Sequence, residues 1–246
     1  MKIIGILGFA RTGKNSIAEA LILRGRELNQ HFVSLAFADE LKRVTMNLFD
    51  FTEEQSWGSS KVLPDHRYPR EHVWPEKDVQ GAIQSDGVVA TLDADQLKCA
   101  CCQCTWREQD QQCYLTPRYA QQIVGTEGAR ACYNNIWVDK AMSVARDMNR
   151  GGYLYRRALG VRIDLGVAPR HVVFTDTRFI NEFEAIKDAG GKVYRVTRPG
   201  FEHPAYDHPS ETEQLQIPDD RLDGVINNDS DLDHLQREVS RIILGR

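Results

Sequence analysis

Lys2-Ile3-Ile4-Gly5-Ile6-Leu7-Gly8-Phe9-Ala10-Arg11-Thr12-Gly13-Lys14-Asn15-Ser16 is an apolar run that breaks into a glycine-bounded turn and then into a helical pattern. Residues 2–7 predict a short buried strand, while Ile17, Ala18, Leu21, Ile22 and Leu28 recur at helical spacing. Between them, Gly8 and Gly13 bracket four residues and precede Lys14. That G-x4-G-K spacing wraps backbone N–H groups around a polyphosphate and points an ammonium at its outer phosphates. A helix opening at Gly13 adds unpaired N–H groups and a positive dipole end. Gly8, Arg11, Thr12, Gly13, Lys14, Asn15 and Ser16 are thus the expected phosphate-binding set. Asn15 stands where the strict motif has Ser or Thr, so the hydroxyl for magnesium comes from Ser16 or the metal is held otherwise. The bland alternative, a turn with a surface lysine, is disfavoured by the flanking strand and helix.

Working outward, His31 to Phe37 reads as a second strand. Leu41, Val44, Thr45 and Leu48 give the stripe of a helix whose other face carries Lys42 and Arg43. Residues 50–115 differ in kind, being rich in Pro, Trp, Asp and Gln, weakly periodic, and carrying five of the six cysteines. They read as an insertion outside the sheet. Thr116-Pro117 predicts an N-cap and first helical position, with Ala120, Ile123 and Val124 on a short helix ending near Gly125. Trp137, Val138, Ala141, Met142, Ala145 and Met148 face one side of a helix that stops at Gly151-Gly152. His171 to Asp176 reads as an inner parallel strand, Phe179 to Ala189 as a helix closed by Gly190-Gly191, and Lys192 to Val196 as a strand leading into Arg198-Pro199-Gly200. A polar loop at 201–222, with His203, His208, Ser210 and Glu211, precedes a last strand at Gly224 to Asn227. Ser230 with Asp233 resembles a capping box for a terminal amphipathic helix. Strands alternating with helices predict an α/β fold, a five-stranded parallel sheet flanked by helices, with right-handed crossovers.

The chain has 246 residues, enough for one α/β domain with insertions, and a formal net charge of −4 without a basic cluster. Nothing there favours nucleic acid as a partner. No apolar run approaches the ~18 residues of a membrane span, and the N-terminal run merges into the glycine loop without a cleavage-type site. The expectation is a cytoplasmic protein with its thiols mostly reduced.

In an open α/β sheet, ligands bind beyond the carboxyl ends of the strands, which collects Gly8 to Ser16, Asp39, Asp176 to Arg178, and Arg198 around one crevice. Phosphoryl transfer consists largely of positioning and cationic stabilisation. Lys14 can bridge donor phosphates, Asp176 can hold magnesium through water, and Arg178 can hold an acceptor phosphate.

With these blocks in hand, the chain resembles the deoxynucleoside monophosphate kinases of tailed bacteriophages. The resemblance is carried by the glycine loop, Phe37-Ala38-Asp39-Glu40-Leu41-Lys42, Gly125-Thr126-Glu127 with Arg130 and Trp137, Thr175-Asp176-Thr177-Arg178, Arg198-Pro199-Gly200, His208-Pro209-Ser210-Glu211 and Ile226-Asn227-Asn228-Asp229. It covers most of the chain in order, excluding about 50–115 and 151–170. It implies a P-loop nucleotide kinase fold across 1–246 that moves the γ-phosphate of ATP to a deoxynucleoside monophosphate with magnesium, in the host cytoplasm if phage-encoded. It further implies an acceptor region at 39–150, with Asp39, Lys42, Glu127, Arg130, Trp137 and Arg178 on the acceptor, and a lid at 201–222. A homodimer is compatible with the sequence. Two rival readings are another small-molecule P-loop kinase resembling dephospho-coenzyme A kinase, and a nucleotide-dependent nucleic-acid-binding zinc module.

Cys99, Cys101, Cys102, Cys104 and Cys113 place five thiols within fifteen residues, with overlapping C-x2-C pairs and a later cysteine to close a site. Four of the five can supply the tetrahedral sulfur set of a structural zinc ion, folding a segment too polar to pack alone.

Overall fold

The computed structural model describes residues 1–73, 98–102, 104, 111–151, 153–156, 161–164, 171–201 and 212–245. They divide into two compact units, one of Met1–Glu40 with Asn135–Arg246, the other Leu41–Asn134.

The first unit is built on β1 (Ile3–Leu7), β2 (Phe32–Leu35), β7 (His171–Thr177), β8 (Lys192–Thr197) and β9 (Gly224–Asn227). These pair, all parallel, in the order β2-β7-β1-β8-β9. Strand side chains alternate between faces, and here both faces are covered. Ile4, Ile6, Val173, Tyr194 and Ile226 pack on α1 (Lys14–Glu27) through Ile17, Ala20 and Leu21, and on α7 (Leu232–Val239) through Leu235 and Val239. Ile3, Leu7, Val172, Phe174 and Val193 pack on α5 (Ile136–Gly151) through Val138, Met142 and Met148, and on α6 (Ile180–Asp188) through Phe183 and Ile186. Burial on two faces is why the strands read as continuous apolar runs. A separate antiparallel pair, β5 (Tyr153–Arg156) with β6 (Val161–Asp164), occupies a stretch to which the sequence assigned nothing.

One expectation in this unit shifts. The terminal helix is capped by Asp231, whose carboxylate accepts the N–H of His234 at 2.8 Å, rather than by Ser230; an anionic acceptor is favoured at a helix N-terminus. In the expected lid, residues 212–222 form two short 3-10 turns docked on the sheet. Ile217 is buried in the core, and its carbonyl and that of Gln214 accept from Arg195 at 2.6 and 3.4 Å. His203, His208, Ser210 and Glu211 lie outside the described residues.

The second unit receives α2 (Asp39–Phe49) from the first and adds α3 (Glu53–Trp57), a 3-10 turn at Ser59–Val62, β3 (Asp65–Arg70), β4 (Cys113–Leu115) and α4 (Pro117–Gln122). Among the described residues β3 and β4 pair with each other, antiparallel, and neither is a strand of the five-stranded sheet. Polar caps hold it locally. Thr52 and Gln55 form a reciprocal capping box on α3, and the Thr116 hydroxyl accepts the Tyr119 N–H at 3.3 Å as the expected N-cap of α4.

Here too the structure corrects the sequence reading. The helix begun by α4 does not end near Gly125 but continues with π-type winding over Ile123–Arg130. Gly125 is a close-approach residue: a Cβ there would lie 2.5 Å from Leu41 Cδ2. On α2 the expected stripe is turned, because Thr45 is buried while Val44 and Leu48 are 41% and 63% exposed. Thr45 satisfies its hydroxyl on the carbonyls of Leu41 and Lys42, both 3.1 Å away.

Candidate nucleotide site and thiol cluster

The loop after β1 emerges between the ends of β7 and β8, because β1 lies between those strands and all three run the same way. Gly8 has φ +153°, and a Cβ on it would stand 2.7 Å from the Val196 carbonyl oxygen. Gly13 has φ +105°, and a Cβ on it would meet Asn228 Nδ2 at 2.4 Å. Both glycines of the motif are therefore required by backbone and by space. Gly13 caps α1 with no side-chain bond, leaving that helix end to the ligand. Thr12 is buried and its hydroxyl donates to the Phe9 carbonyl at 2.9 Å, closing the turn from within. Arg11 is exposed with φ 66°. Asn15 is exposed and Ser16 half-buried on the first turn of α1. Lys14 Nζ donates to the carbonyls of Gly8 and Phe9 at 2.6 and 2.5 Å, curling over the concavity that the phosphates would fill.

Asp176, at the end of β7, accepts the N–H of Phe37 on one carboxylate oxygen at 2.7 Å and of Ala38 on the other at 3.0 Å. It thereby fixes the chain leaving β2, where Asp39 accepts the Ala36 N–H at 2.9 Å. Each carboxylate oxygen of Asp176 keeps a lone pair, and with the Ser16 hydroxyl it offers the hard oxygen donors magnesium takes. Arg178 follows directly, half-buried, with its backbone N–H held by Glu182 at 2.8 Å. Trp137 is buried at the start of α5. Lys42, Glu127 and Arg130 belong to the second unit, where Lys42 lies 5.9 Å from the Trp57 ring centroid, Glu127 is exposed and Arg130 half-buried.

On the β8 and β9 side the loop borders a pocket of about 680 Å³, lined by Gly8, Thr12, Arg198, Phe201, Asn227 and Asp229 among others. Arg198 stands 4.9 Å over the Phe201 ring and donates to the Arg11 carbonyl at 3.4 Å. Sequence reasoning assigned no role to Asn228, whose amide donates to the Thr12 carbonyl at 2.9 Å and braces the loop from β9. The available signal was positional: Asn228 follows an apolar strand end, as Asp176 does.

In the second unit, Cys99, Cys101, Cys102 and Cys113 bring their sulfur atoms within 4.8 Å of one another, and His72, Cys102 and Cys104 form an overlapping group. Cys99, Cys101 and Cys113 are buried. Sγ of Cys101 is 2.9 Å from that of Cys99 and from that of Cys113, and Cys102 and Cys104 are 2.9 Å apart. The Val73 N–H donates to Cys99 Sγ at 3.2 Å. Burial pushes the Cys99 thiol up, but donation from Cys101 and from neighbouring backbone N–H groups brings it down to about 7. Burial pushes Cys101 up to about 11 and raises Cys104 and Cys113 as well. Raised values keep most of these groups as thiols without a cation, and the grouped sulfur donors, which a bound metal would take as thiolates, fit a soft or borderline metal ion. His72 was not legible, lying 27 positions before Cys99 with no ligand spacing around it.

Loop, sheet order and strand-end residues define a five-stranded parallel α/β unit with a glycine-lysine loop at the end of its first strand. No protein-family model matches the chain. It is similar, at 28% identity over 223 residues covering 88% of this chain and 84% of the other, to a protein of Acanthamoeba polyphaga mimivirus described as "Putative deoxynucleotide monophosphate kinase". Among solved structures, dephospho-CoA kinase from Campylobacter jejuni overlaps 99% of this chain and 96% of its own with a TM-score of 0.37 and 11% identity; this likeness bears on neither activity nor substrate. Among the described residues no helix is long and apolar enough to cross a membrane.

Proposed function

We propose that the protein is a deoxynucleoside monophosphate kinase using ATP. The observation that carries this reading is the glycine-lysine loop at the end of β1, flanked by the strand ends that bear Asp176 and Arg198. The similarity over most of the chain to a protein of that description supports it.

In the reaction, an oxygen of the acceptor's 5′-phosphate attacks the γ-phosphorus of ATP, the bond from that phosphorus to the β,γ-bridging oxygen breaks, and ADP leaves. The backbone N–H groups of residues 8–14 hold the β-phosphate, and Lys14 exchanges the carbonyls of Gly8 and Phe9 for phosphate oxygens as charge moves onto them. Magnesium supplies neutralisation of phosphate charge, and Ser16 and Asp176 are the residues that would hold it. Arg198 and Phe201 line the pocket beside the loop and suit the donor's base. Arg178 takes the acceptor phosphate, and the resemblance gives acceptor-side tasks to Asp39, Lys42, Glu127, Arg130 and Trp137. The thiol cluster holds a structural zinc ion.

The test is a screen of the four common deoxynucleoside monophosphates with ATP and magnesium, beside dephospho-coenzyme A. Formation of a deoxynucleoside diphosphate from at least one is expected. Phosphorylation of dephospho-coenzyme A alone would overturn the assignment.

A further inference from the structure

A second pocket, of about 430 Å³, lies wholly within the unit Leu41–Asn134. Phe49, Tyr68, Tyr119 and Ile123 give it flat and apolar walls, and Arg70 and Glu127 bring a cation and a carboxylate to it. Phe49 and Tyr68 meet edge to face, with centroids 5.6 Å apart, and the Tyr68 hydroxyl donates to the Phe49 carbonyl at 2.6 Å. Arg70 lies 4.6 Å over the Tyr119 ring. Aromatic faces with one donor and one acceptor side chain suit a planar heterocycle carrying polar edges.

The thiol cluster is tied to one wall of this pocket by several bonds. Cys113 pairs with Arg70 across the β3–β4 ladder, and Gln112 Nε2 donates to the Arg70 carbonyl at 3.0 Å. The Thr116 hydroxyl donates to the Cys101 carbonyl at 2.7 Å while capping the helix that carries Tyr119, Ile123 and Glu127. Tyr119 and Val73 pack directly against the buried cysteines. A change in the spacing of the sulfur atoms therefore moves Arg70, Tyr119 and the helix start together.

We propose that the thiol cluster, with a metal ion bound, is a positioning device for this pocket, and that the pocket takes the heterocyclic base of the acceptor nucleotide. The proposal rests on the kinase reading for the identity of the ligand. Zinc is the probe metal, since it takes four sulfur donors and these four sulfur atoms lie within 4.8 Å of one another. Cys99, Cys101, Cys102 and Cys113 hold it, and Tyr119 and Arg70 act on the base.

The experiment is an equilibrium titration of the full chain with an accepted deoxynucleoside monophosphate and, separately, with ATP. It uses protein as purified, protein stripped with a chelator, stripped protein resupplied with zinc, and the variant Tyr119→Ala. Stripping is expected to weaken monophosphate binding about tenfold or more and to leave ATP binding within about twofold, with zinc restoring the first value. Tyr119→Ala is expected to weaken the monophosphate similarly while retaining about one zinc per chain. Monophosphate affinity indifferent to zinc removal, or unchanged in Tyr119→Ala, overturns the proposal and leaves the kinase reading standing. Unmodified protein that binds ATP but no deoxynucleoside monophosphate removes both.

Discussion

In the sheet unit, Ile6, Ile17, Leu21, Phe174 and Ile226 are fully buried in two apolar clusters that cover both faces of five parallel strands. In the unit from Leu41 to Asn134, the buried apolar side chains among the described residues are Phe51, Pro117, Ala120 and three cysteines, with Thr45, Ser56, Asp65 and Thr116 as the buried polar ones. Burial of apolar area is non-directional and insensitive to pH. The second unit leans instead on caps, a buried carboxylate paired with a half-exposed arginine, and a group of thiols. It follows that the two units answer to different perturbations, and that each can be disturbed while the other serves as control.

The largest expected effect separates chemistry from both. Lys14→Ala removes the ammonium over the phosphate loop and is expected to cost on the order of 10³-fold or more in turnover. Lys14 is not part of either apolar cluster, so thermal melting should stay within a few degrees. Near-normal turnover in a variant with an unchanged circular dichroism spectrum would contradict the phosphate-loop assignment.

Metal removal comes next and is confined to one side of the comparison. Elemental analysis should find about one zinc per chain, and chelation should split thermal unfolding into two transitions, the lower one belonging to the second unit, because bound metal contributes directly to folding free energy. Native protein free of metal, with every thiol open to titration, would exclude the site.

Asp65 gives a smaller effect that depends on pH. Donation from the Arg67 side chain at 3.0 and 2.7 Å, against burial, with help from the Arg67 N–H and Gln55, holds its carboxyl at about 2, below its ordinary 3.8. A lowered folded-state value means stability that is fully present above the unfolded value and lost as pH falls from about 4 towards 2. With Arg67 half exposed, solvent screening leaves about 1 kcal/mol of stability in this shift. Asp65→Asn should lose that much at pH 7, and its deficit relative to the wild type should close on acidification. A deficit of constant size across pH would mean that Asp65 acts by shape alone. Thr116→Ala should cost about 1 kcal/mol through its cap, measured as a shift in the second unit's transition; no shift would remove Thr116 as the tie between Cys101 and the helix.

The same contrast explains what could be read from the chain before its structure. Strands at 3–7, 171–177, 192–197 and 224–227 and the helix beginning at Lys14 are encoded by apolar runs and apolar period, which reflect burial directly. The turn of the glycine-lysine loop was legible because Gly8 and Gly13 are needed for conformation and space. Asn228 escaped because its bond to the Thr12 carbonyl reaches over from β9, and a place just past a strand end does not by itself name a partner. In the second unit, Gly125 reads locally as a helix end, yet it is there to admit Leu41; close packing between distant segments overrides a local signal. Val44 and Leu48 have the period of a buried face and are exposed, since the neighbouring polar Thr45 found its partners on its own helix. The cysteines announced themselves by spacing, whereas His72 joins them only through the fold of the β3 end.

The measurement that bears most directly on the central claim is the dependence of ADP release on acceptor. Purified protein is given ATP labelled at the γ-phosphate, magnesium and one accepted deoxynucleoside monophosphate, and label is followed into products. The account predicts label in the deoxynucleoside diphosphate in one-to-one ratio with ADP, little ADP without acceptor, and neither product with Lys14→Ala. ADP and free labelled phosphate formed at the same rate with or without the acceptor would contradict it.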